Sequence, residues 1–377
     1  MSGRVIVVGS VNIDLVARVP HLPHPGETVT GGSYERHQGG KGGNQAVAAA
    51  RLRRPTLFIG AAGDDDFEVE ARRALISERV DVSMLASLPN QATGMALILV
   101  DAAGENEIAV VPGANWAIEA GYVRESLARL GRLAGDTLLV CNELPVHVVR
   151  EALVCGHAAG ATTILNPAPA TGLDRSIFGL ADIVTPNRNE LATLLAIEER
   201  RTGRRTDEGA DVASRARSLL DAGPEGPGAR RAVIVTLGSD GAVVLERPTP
   251  RPEPVLPVGV EPCDVEPGEA DGDGQAPGAS PRPSAPGARA VEEPPAGVTL
   301  LGEYRVWSVP AFKVATVDST GAGDAFCGAL AAALAEGRPL AEAVPRAAAG
   351  GALATTHVGA REGMPTASEL EGFMAAR

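Results

Sequence analysis

Residues 318–330 read Asp318-Ser319-Thr320-Gly321-Ala322-Gly323-Asp324-Ala325-Phe326-Cys327-Gly328-Ala329-Leu330. An apolar lead-in with Val314 and Val317 precedes them, and the Ala-rich segment Ala325 to Ala335 follows and reads as a buried helix. The small residues Gly321, Ala322 and Gly323 let several backbone N–H groups point at one anion in front of that helix, where the helix dipole adds to the attraction. Asp324 sets a carboxylate at the mouth of the same turn. Such a pairing suits a base that deprotonates a hydroxyl while the pocket holds the phosphoryl group under attack. The residue also reads as an ordinary Asp cap on a core helix. By itself the stretch leaves both readings open.

Working outward, the N-terminal run Arg4 to Ser10 is β-branched, apolar and closed by Gly9, as expected of a buried first strand. It carries no GxGxxG fingerprint, and Gly40-Lys41 is followed by Gly42 rather than Ser or Thr, so neither a dinucleotide-binding turn nor a P-loop is present. Instead the strand leads to Asn12 and Asp14, whose spacing points both side chains the same way from an extended segment. Further on, Gly39-Gly40-Lys41-Gly42-Gly43-Asn44 precedes a small-residue helix expected over Gln45 to Leu52. The glycines expose backbone to a ligand, and Lys41 and Asn44 supply donors. A flexible loop capped by Asn44 is the plainer reading.

These two stretches resemble the two signatures of the PfkB (ribokinase-like) carbohydrate kinase family. The second fits at Asp318, Ser319, Gly321-Ala322-Gly323-Asp324 and Gly328-Ala329-Leu330; the first is the GGKGxN-type loop at 39–44. Further matches run from Asn12 to about Gly363. They include Asn187 and Glu190 in NxxE spacing, and Thr236-Leu237-Gly238-Ser239-Asp240-Gly241. The resemblance implies an α/β fold, a three-layer sandwich with a mostly parallel central sheet and a small β-sheet lid from about 15–38 and 92–112. It implies one domain over 1–377, acting on a sugar with ATP and Mg²⁺, activated by K⁺, and paired as a homodimer through the lid. D-ribose, phosphorylated at O5 to ribose 5-phosphate, is the substrate it favours. Another sugar such as deoxyribose or fructose, a nucleoside, or a non-catalytic sugar- or nucleotide-binding role are the alternatives.

Site roles follow from the same likeness. Asn12, Asp14, Gly40, Lys41, Asn44 and Glu143 match pentose-holding positions, with Asp324 as the base and Gly321, Ala322, Gly323 and Asp324 as the anion hole. Asn187, Glu190, Thr236, Gly238, Ser239, Asp240 and Gly241 match the nucleotide and Mg²⁺ positions, the last through few direct ligands, as Mg²⁺ prefers. Asp318, Thr320, Ala354, His357, Gly359 and Gly363 match a monovalent-cation loop. Gly363 stands where the family has a Ser-like ligand, and Ala348 where many members carry an Asn near the adenine. On residue chemistry alone, Glu143 and His357 read equally as surface residues, and Asn187 with Glu190 as a plain helix start.

The order of apolar runs and small-residue helices, βαβα with terminal helices, independently argues a parallel sheet with helices on both faces. The polar clusters after Ser10, Cys141, Thr185 and Leu237 all fall at strand ends, where such sheets bind ligands. With 44% hydrophobic but only 3% aromatic residues, the core must be built of Ala, Val and Leu. No apolar run approaches 18 residues, so no membrane span is expected. A net charge of −13 argues against nucleic acid. Cys141, Cys155, Cys263 and Cys327 show no metal spacing and read as reduced thiols of a cytoplasmic protein. Composition breaks at 248–302. Residues 251–300 hold eleven Pro, seven Gly, and nine acidic against three basic side chains, as expected of an acidic, disordered insertion.

Overall fold

Strands form where apolar, β-branched runs are flanked by turn residues. In the computed structural model, which describes residues 3–203, 210–221, 228–248 and 297–377, they are β1 (Val5–Val8), β2 (Asn12–Arg18), β3 (Ser33–Gly39), β4 (Thr56–Ala62), β5 (Val80–Ser87), β6 (Gly94–Val100) and β7 (Asn106–Val111). They continue with β8 (Thr137–Cys141), β9 (Thr162–Asn166), β10 (Ile183–Val184), β11 (Ala232–Thr236), β12 (Ala242–Glu246), β13 (Thr299–Leu301) and β14 (Tyr304–Val309). The central sheet runs β13-β14-β12-β11-β10-β9-β8-β1-β4-β5. From β11 to β5 every pairing is parallel; β12, β14 and β13 add an antiparallel edge.

The sheet is buried on both faces. Along β1, Val5 and Val7 face one core and Ile6 and Val8 the other, the two-residue period of a strand. The first core takes the helices Lys41–Arg51, Ala322–Ala335 and Leu340–Ala354; the second takes Ala120–Arg129 and Val146–Ala158. Alanine dominates the first layer, with Ala46 to Ala49 meeting Ala329 to Ala333. Small side chains let helices approach closely. At Gly328 a β-carbon would lie 2.5 Å from Ala48 Cβ and 2.7 Å from Gln45 O, so glycine is required where the Lys41 and Ala322 helices meet.

A second sheet, β3-β2-β6-β7, is the expected lid. It begins at Asn12, earlier than read, so Asn12 and Asp14 open a lid strand that leaves the end of β1. Two helices also begin earlier than read. Lys41–Arg51 starts inside the glycine stretch with Gly40 as its cap, and Ala322–Ala335 starts directly after Gly321, whose φ is +77°. Glycine is read in sequence as loop, yet at 42 and 43 the Gly9 backbone and the Arg361 guanidinium leave no room for larger residues, and tertiary packing overrides propensity.

The 248–302 reading is corrected at its end: β13 pairs with β14 from Thr299, so the fold resumes there. Residues 249–296 lie outside the described residues. Cys141 and Cys327 are free and buried. Cys155 is disulfide-bonded, which departs from the reading of four reduced thiols, and Cys263 lies outside the described residues. Among the described residues no helix is long and apolar enough to cross a membrane.

The helix contact at Gly328 is testable. Gly328→Val forces two backbones apart and is expected to cost about 1–3 kcal/mol, read as a lower midpoint in urea unfolding. An unchanged midpoint would refute the tight contact.

Candidate active site

The centre of the site is one carboxylate. Asp324 lies in the first turn of the Ala322–Ala335 helix and is 7% exposed. Asn44 Nδ2 donates to its Oδ2 at 3.0 Å and Gln45 Nε2 to its Oδ1 at 3.0 Å. Both donors sit on the Lys41–Arg51 helix, so the Gly328 contact sets their reach. Burial pushes the Asp324 carboxyl above its usual range, while the Lys41 ammonium and the two amides oppose that rise. Asp324 in turn holds Lys41 protonated, well above its ordinary value. A raised carboxylate that still sits among donors is a competent proton acceptor.

Asp324 borders a cavity of about 190 Å³ with Lys41, Asn166, Thr185, Asn187, Glu190, Thr236, Gly321, Gly323 and Cys327. These residues come from the ends of β9, β10 and β11 and from the Ala322 helix start, which is where an open parallel sheet presents ligand sites. First-turn N–H groups of a helix have no acceptor within it, so the cavity meets an anion-attracting end. One of the four residues read as the anion hole is already partly engaged: Ala322 N–H donates to Ser319 O at 3.2 Å.

On the lid side, Glu143 is no surface residue. Its Oε2 accepts from Ser10 Oγ at 2.5 Å and from Lys41 N–H at 2.9 Å, and Lys41 Nζ lies 3.9 Å from Oε1. The carboxylate therefore caps the Lys41 helix at its positive end. Asp14 is half-buried and its carboxyl rises to about 6, from burial first and then the nearby Glu143 charge. Asn12 is buried, and its Oδ1 accepts from Asn115 Nδ2 at 2.8 Å.

The NxxE pair is the plain helix start that its residue chemistry offered, placed beside the cavity. Asn187 and Glu190 form a capping box at the start of helix Arg188–Thr202, and both line the cavity with Asp324. Burial raises the Glu190 carboxyl, against the Asn187 N–H bond. Of the 236–241 stretch, Thr236 reaches this cavity. Gly238–Asp240 forms one 3-10 turn, with Ser239 and Asp240 exposed and Asp240 bonded to Arg188 at 2.7 Å.

The residues read as a monovalent-cation loop come together in part. Asp318 accepts from Thr320 N–H and Oγ at 2.9 and 2.7 Å and from Gly359 N–H at 2.9 Å. Burial pushes this carboxyl up, but those three bonds hold it below its usual value. The carbonyls of Ala354 and Gly359 converge on Gly363, where a β-carbon would meet Ala354 O at 2.5 Å. A Ser at 363 has no room in this arrangement, which accounts for the departure. His357 is exposed and bonded to its neighbour Thr356, the surface reading. Ala348 packs half-buried on the core and offers no polar group.

Four buried polar side chains bonded to these residues escaped the sequence reading as site residues: Gln45, Asn115, Asn166 and Arg361. Asn166 accepts from Gln45 Nε2 at 3.0 Å and donates to Thr185 O at 3.2 Å. Arg361 is 5% exposed and donates to Asn44 Oδ1 at 3.0 Å and Gly39 O at 2.7 Å. Asn166 precedes Pro167 at a strand end and Gln45 adjoins Asn44, so those two had a signal; Asn115 and Arg361 had none short of the fold.

A family model described as pfkB family carbohydrate kinase matches residues 2–261 and 286–367. A ribokinase of Schizosaccharomyces pombe is 31% identical over 376 residues, 98% of this chain and 97% of that one. Among solved structures, a ribokinase of Thermotoga maritima superposes with a TM-score of 0.73 at 28% identity, with 99% of each chain covered. An Arabidopsis thaliana ribokinase complexed with ribose and ATP superposes with 0.71 at 25% identity, again over 99% of each. The buried carboxylate at a helix start, the cavity beside it and these similarities agree: the chain belongs to the pfkB family of carbohydrate kinases and is a sugar kinase, a phosphotransferase.

Proposed function

We propose that the enzyme transfers the terminal phosphoryl group of ATP to O5 of D-ribose, giving ribose 5-phosphate and ADP, as a cytoplasmic homodimer. The observation that carries the reading is Asp324 itself, a buried carboxylate gripped by two amides and opening on a cavity at a helix N-terminus. The likeness to a ribokinase solved with ribose and ATP supports the choice of substrates. Asp14, Asn12 and Asn44 lie at the lid strand and helix start that would grip a pentose. The scarce aromatics Tyr34 and Trp116 are 69% and 65% exposed, a poor stacking surface for a nucleoside base.

In the reaction, Asp324 takes the proton from the primary hydroxyl as the new O–P bond forms and the bond to the departing ADP oxygen breaks. The Gly323 and Asp324 N–H groups and the Lys41 ammonium meet the charge on the migrating group. Positioning and charge stabilisation are most of what such transfers need. Asn187 and Glu190 would hold Mg²⁺ through its water shell; the donor set fits, since few carboxylates face the cavity, and bound Mg²⁺ would neutralise phosphate charge. The converging carbonyls of Ala354 and Gly359 fit a K⁺ ion beside Asp318. For the dimer, Tyr34 and Leu97 are exposed on one face of the lid and Ile108 and Val110 on the other, apolar surface suited to a second copy that clasps the sheet.

Asp324→Asn should keep sugar binding and lower kcat on the order of 10³-fold, measured by ADP release on ribose, 2-deoxyribose, fructose, fructose 6-phosphate and adenosine. Normal turnover by this variant would remove Asp324 as the base, and wild-type turnover confined to another sugar would reassign the pentose contacts.

Asp14 must be a carboxylate to accept sugar hydroxyl protons, and it protonates below about 6. The KM for the sugar should therefore rise roughly tenfold per unit as pH falls below that value, and Asp14→Asn should flatten the trend. A KM that stays level down to pH 5, an acidity chosen about one unit lower, would contradict the role. For the lid, Leu97→Glu with Ile108→Glu should halve the mass seen by light scattering; a wild-type monomer would end the dimer reading.

A further inference from the structure

Arg361 is an expensive residue to keep. Its guanidinium is buried, its Nη1 makes no hydrogen bond among the described residues, and burial pulls its proton affinity down to about 10. What the burial achieves is visible in its bonds. Nε donates to Asn44 Oδ1 at 3.0 Å, and Asn44 then presents Nδ2 to Asp324 at 3.0 Å. A carboxamide has two faces, and with Oδ1 tied to a cation the opposite orientation is shut out. If the amide turned over, its carbonyl oxygen would face the Asp324 carboxylate and repel it.

Two further features build the arrangement. Arg51 Nη1 clasps the carbonyls of Arg361 at 2.8 Å and Met364 at 2.7 Å, which fixes the segment carrying Arg361. At Gly43, one residue before Asn44, a β-carbon would sit 2.2 Å from Arg361 Nη2. The guanidinium occupies the space that a side chain at 43 would fill.

We propose that Arg361 is a positioning residue for phosphoryl transfer, locking the Asn44 carboxamide with its N–H groups toward Asp324, and that Gly43 is glycine to admit it. This rests on Asp324 as the base. Arg361 touches no reacting atom in this role; it acts through Asn44.

The test is a set of variants in which the two halves of the guanidinium are separated. Gln carries a donor nitrogen at the same point along the side chain as Arg Nε but has nothing at Nη2; Met has neither. Arg361→Gln should keep kcat/KM within about threefold of wild type, whereas Arg361→Met should lose on the order of tenfold or more, mostly in kcat. Gly43→Ala should be damaging with Arg361 present and nearly silent when combined with Arg361→Gln, a coupling that independent sites would not show.

A pH profile separates positioning from mere structural support. Lys41, Glu143, Glu190, Cys141 and Cys327 face Asp324 in every variant. Both variants remove the Arg361 charge that Asp324 and Asp14 feel, so Met is read against Gln: with Met the amide is free to turn, and the acid limb of kcat should lie about half a unit or more above that of the Gln variant. Thermal melting identifies any variant that fails to fold, and the pairing of Arg361→Gln with Gly43→Ala remains informative if Arg361→Met does. Equal losses for Gln and Met, an acid limb no higher for Met than for Gln, or additive effects of Gly43→Ala and Arg361→Gln would overturn the proposal. Full turnover by Asp324→Asn would overturn the base assignment and this role with it, whereas failure of the Arg361 series alone leaves the base standing.

Discussion

The structure is arranged around the burial of one carboxylate. Taking Asp324 out of water is costly, and an unpaired buried carboxylate would protonate or unfold its surroundings. Two amide donors, a helix N-terminus and the Lys41 ammonium share the task of keeping it usable. Each of these comes from a helix whose position is set elsewhere. The Lys41 helix is capped by Glu143 at the end of β8, and it lies against the Ala322 helix only because Gly328 and a row of alanines allow it. Backbone packing at the core and chemistry at the site are thus one constraint, and glycine at 328 with alanine around it follows from it, since larger side chains there would separate the two helices.

The parts legible in the sequence were those with a local cause. The apolar β-branched run Arg4 to Ser10 became β1, trimmed by a residue or two at each end, because a buried parallel strand needs no partner to announce itself. The 318–330 stretch and the 39–44 stretch stood out because small residues and one Asp at a helix start suggest a mechanism in themselves, and the structure brings the two together at Asp324. Other features were hidden because they depend on distant partners. The glycines at 42 and 43 look like a loop in isolation and become helix when β1 and Arg361 close on them. β5 lacks a strong local signal, since Asp81 and Ser83 interrupt it, yet it pairs along the length of β4. Arg361 lies 317 residues from the amide it holds, and no spacing rule reaches that far.

Departures from the family pattern also make sense as local geometry. Gly363 lacks the hydroxyl its position implies, but the carbonyls of Ala354 and Gly359 crowd the place where that side chain would start. The segment bends so that Asp318 binds Gly359 while, two residues on, Arg361 reaches back to Gly39 and Asn44. A single turn of chain therefore joins the loop beside Asp318 to the glycine-rich start of the Lys41 helix.

The site concentrates charges that only tolerate one another. Asp324, Lys41, Asp14 and Arg361 lie wholly or largely out of water, and each feels the charge of another member of the group. Removing one member of a buried pair costs about 3–5 kcal/mol because the partner is left uncompensated. Against a total stability of about 5–15 kcal/mol, a single such loss is a large fraction. For Asp14 the sign is specific: its folded carboxyl binds a proton more readily than an unfolded one, so its charge costs stability, a cost that grows as pH rises from about 4 towards 6 and is then constant. Under the proposed role ionised Asp14 is what a sugar's hydroxyls require, so the pH range in which the site is ready for a sugar is the range in which the empty fold carries the full strain of holding that charge.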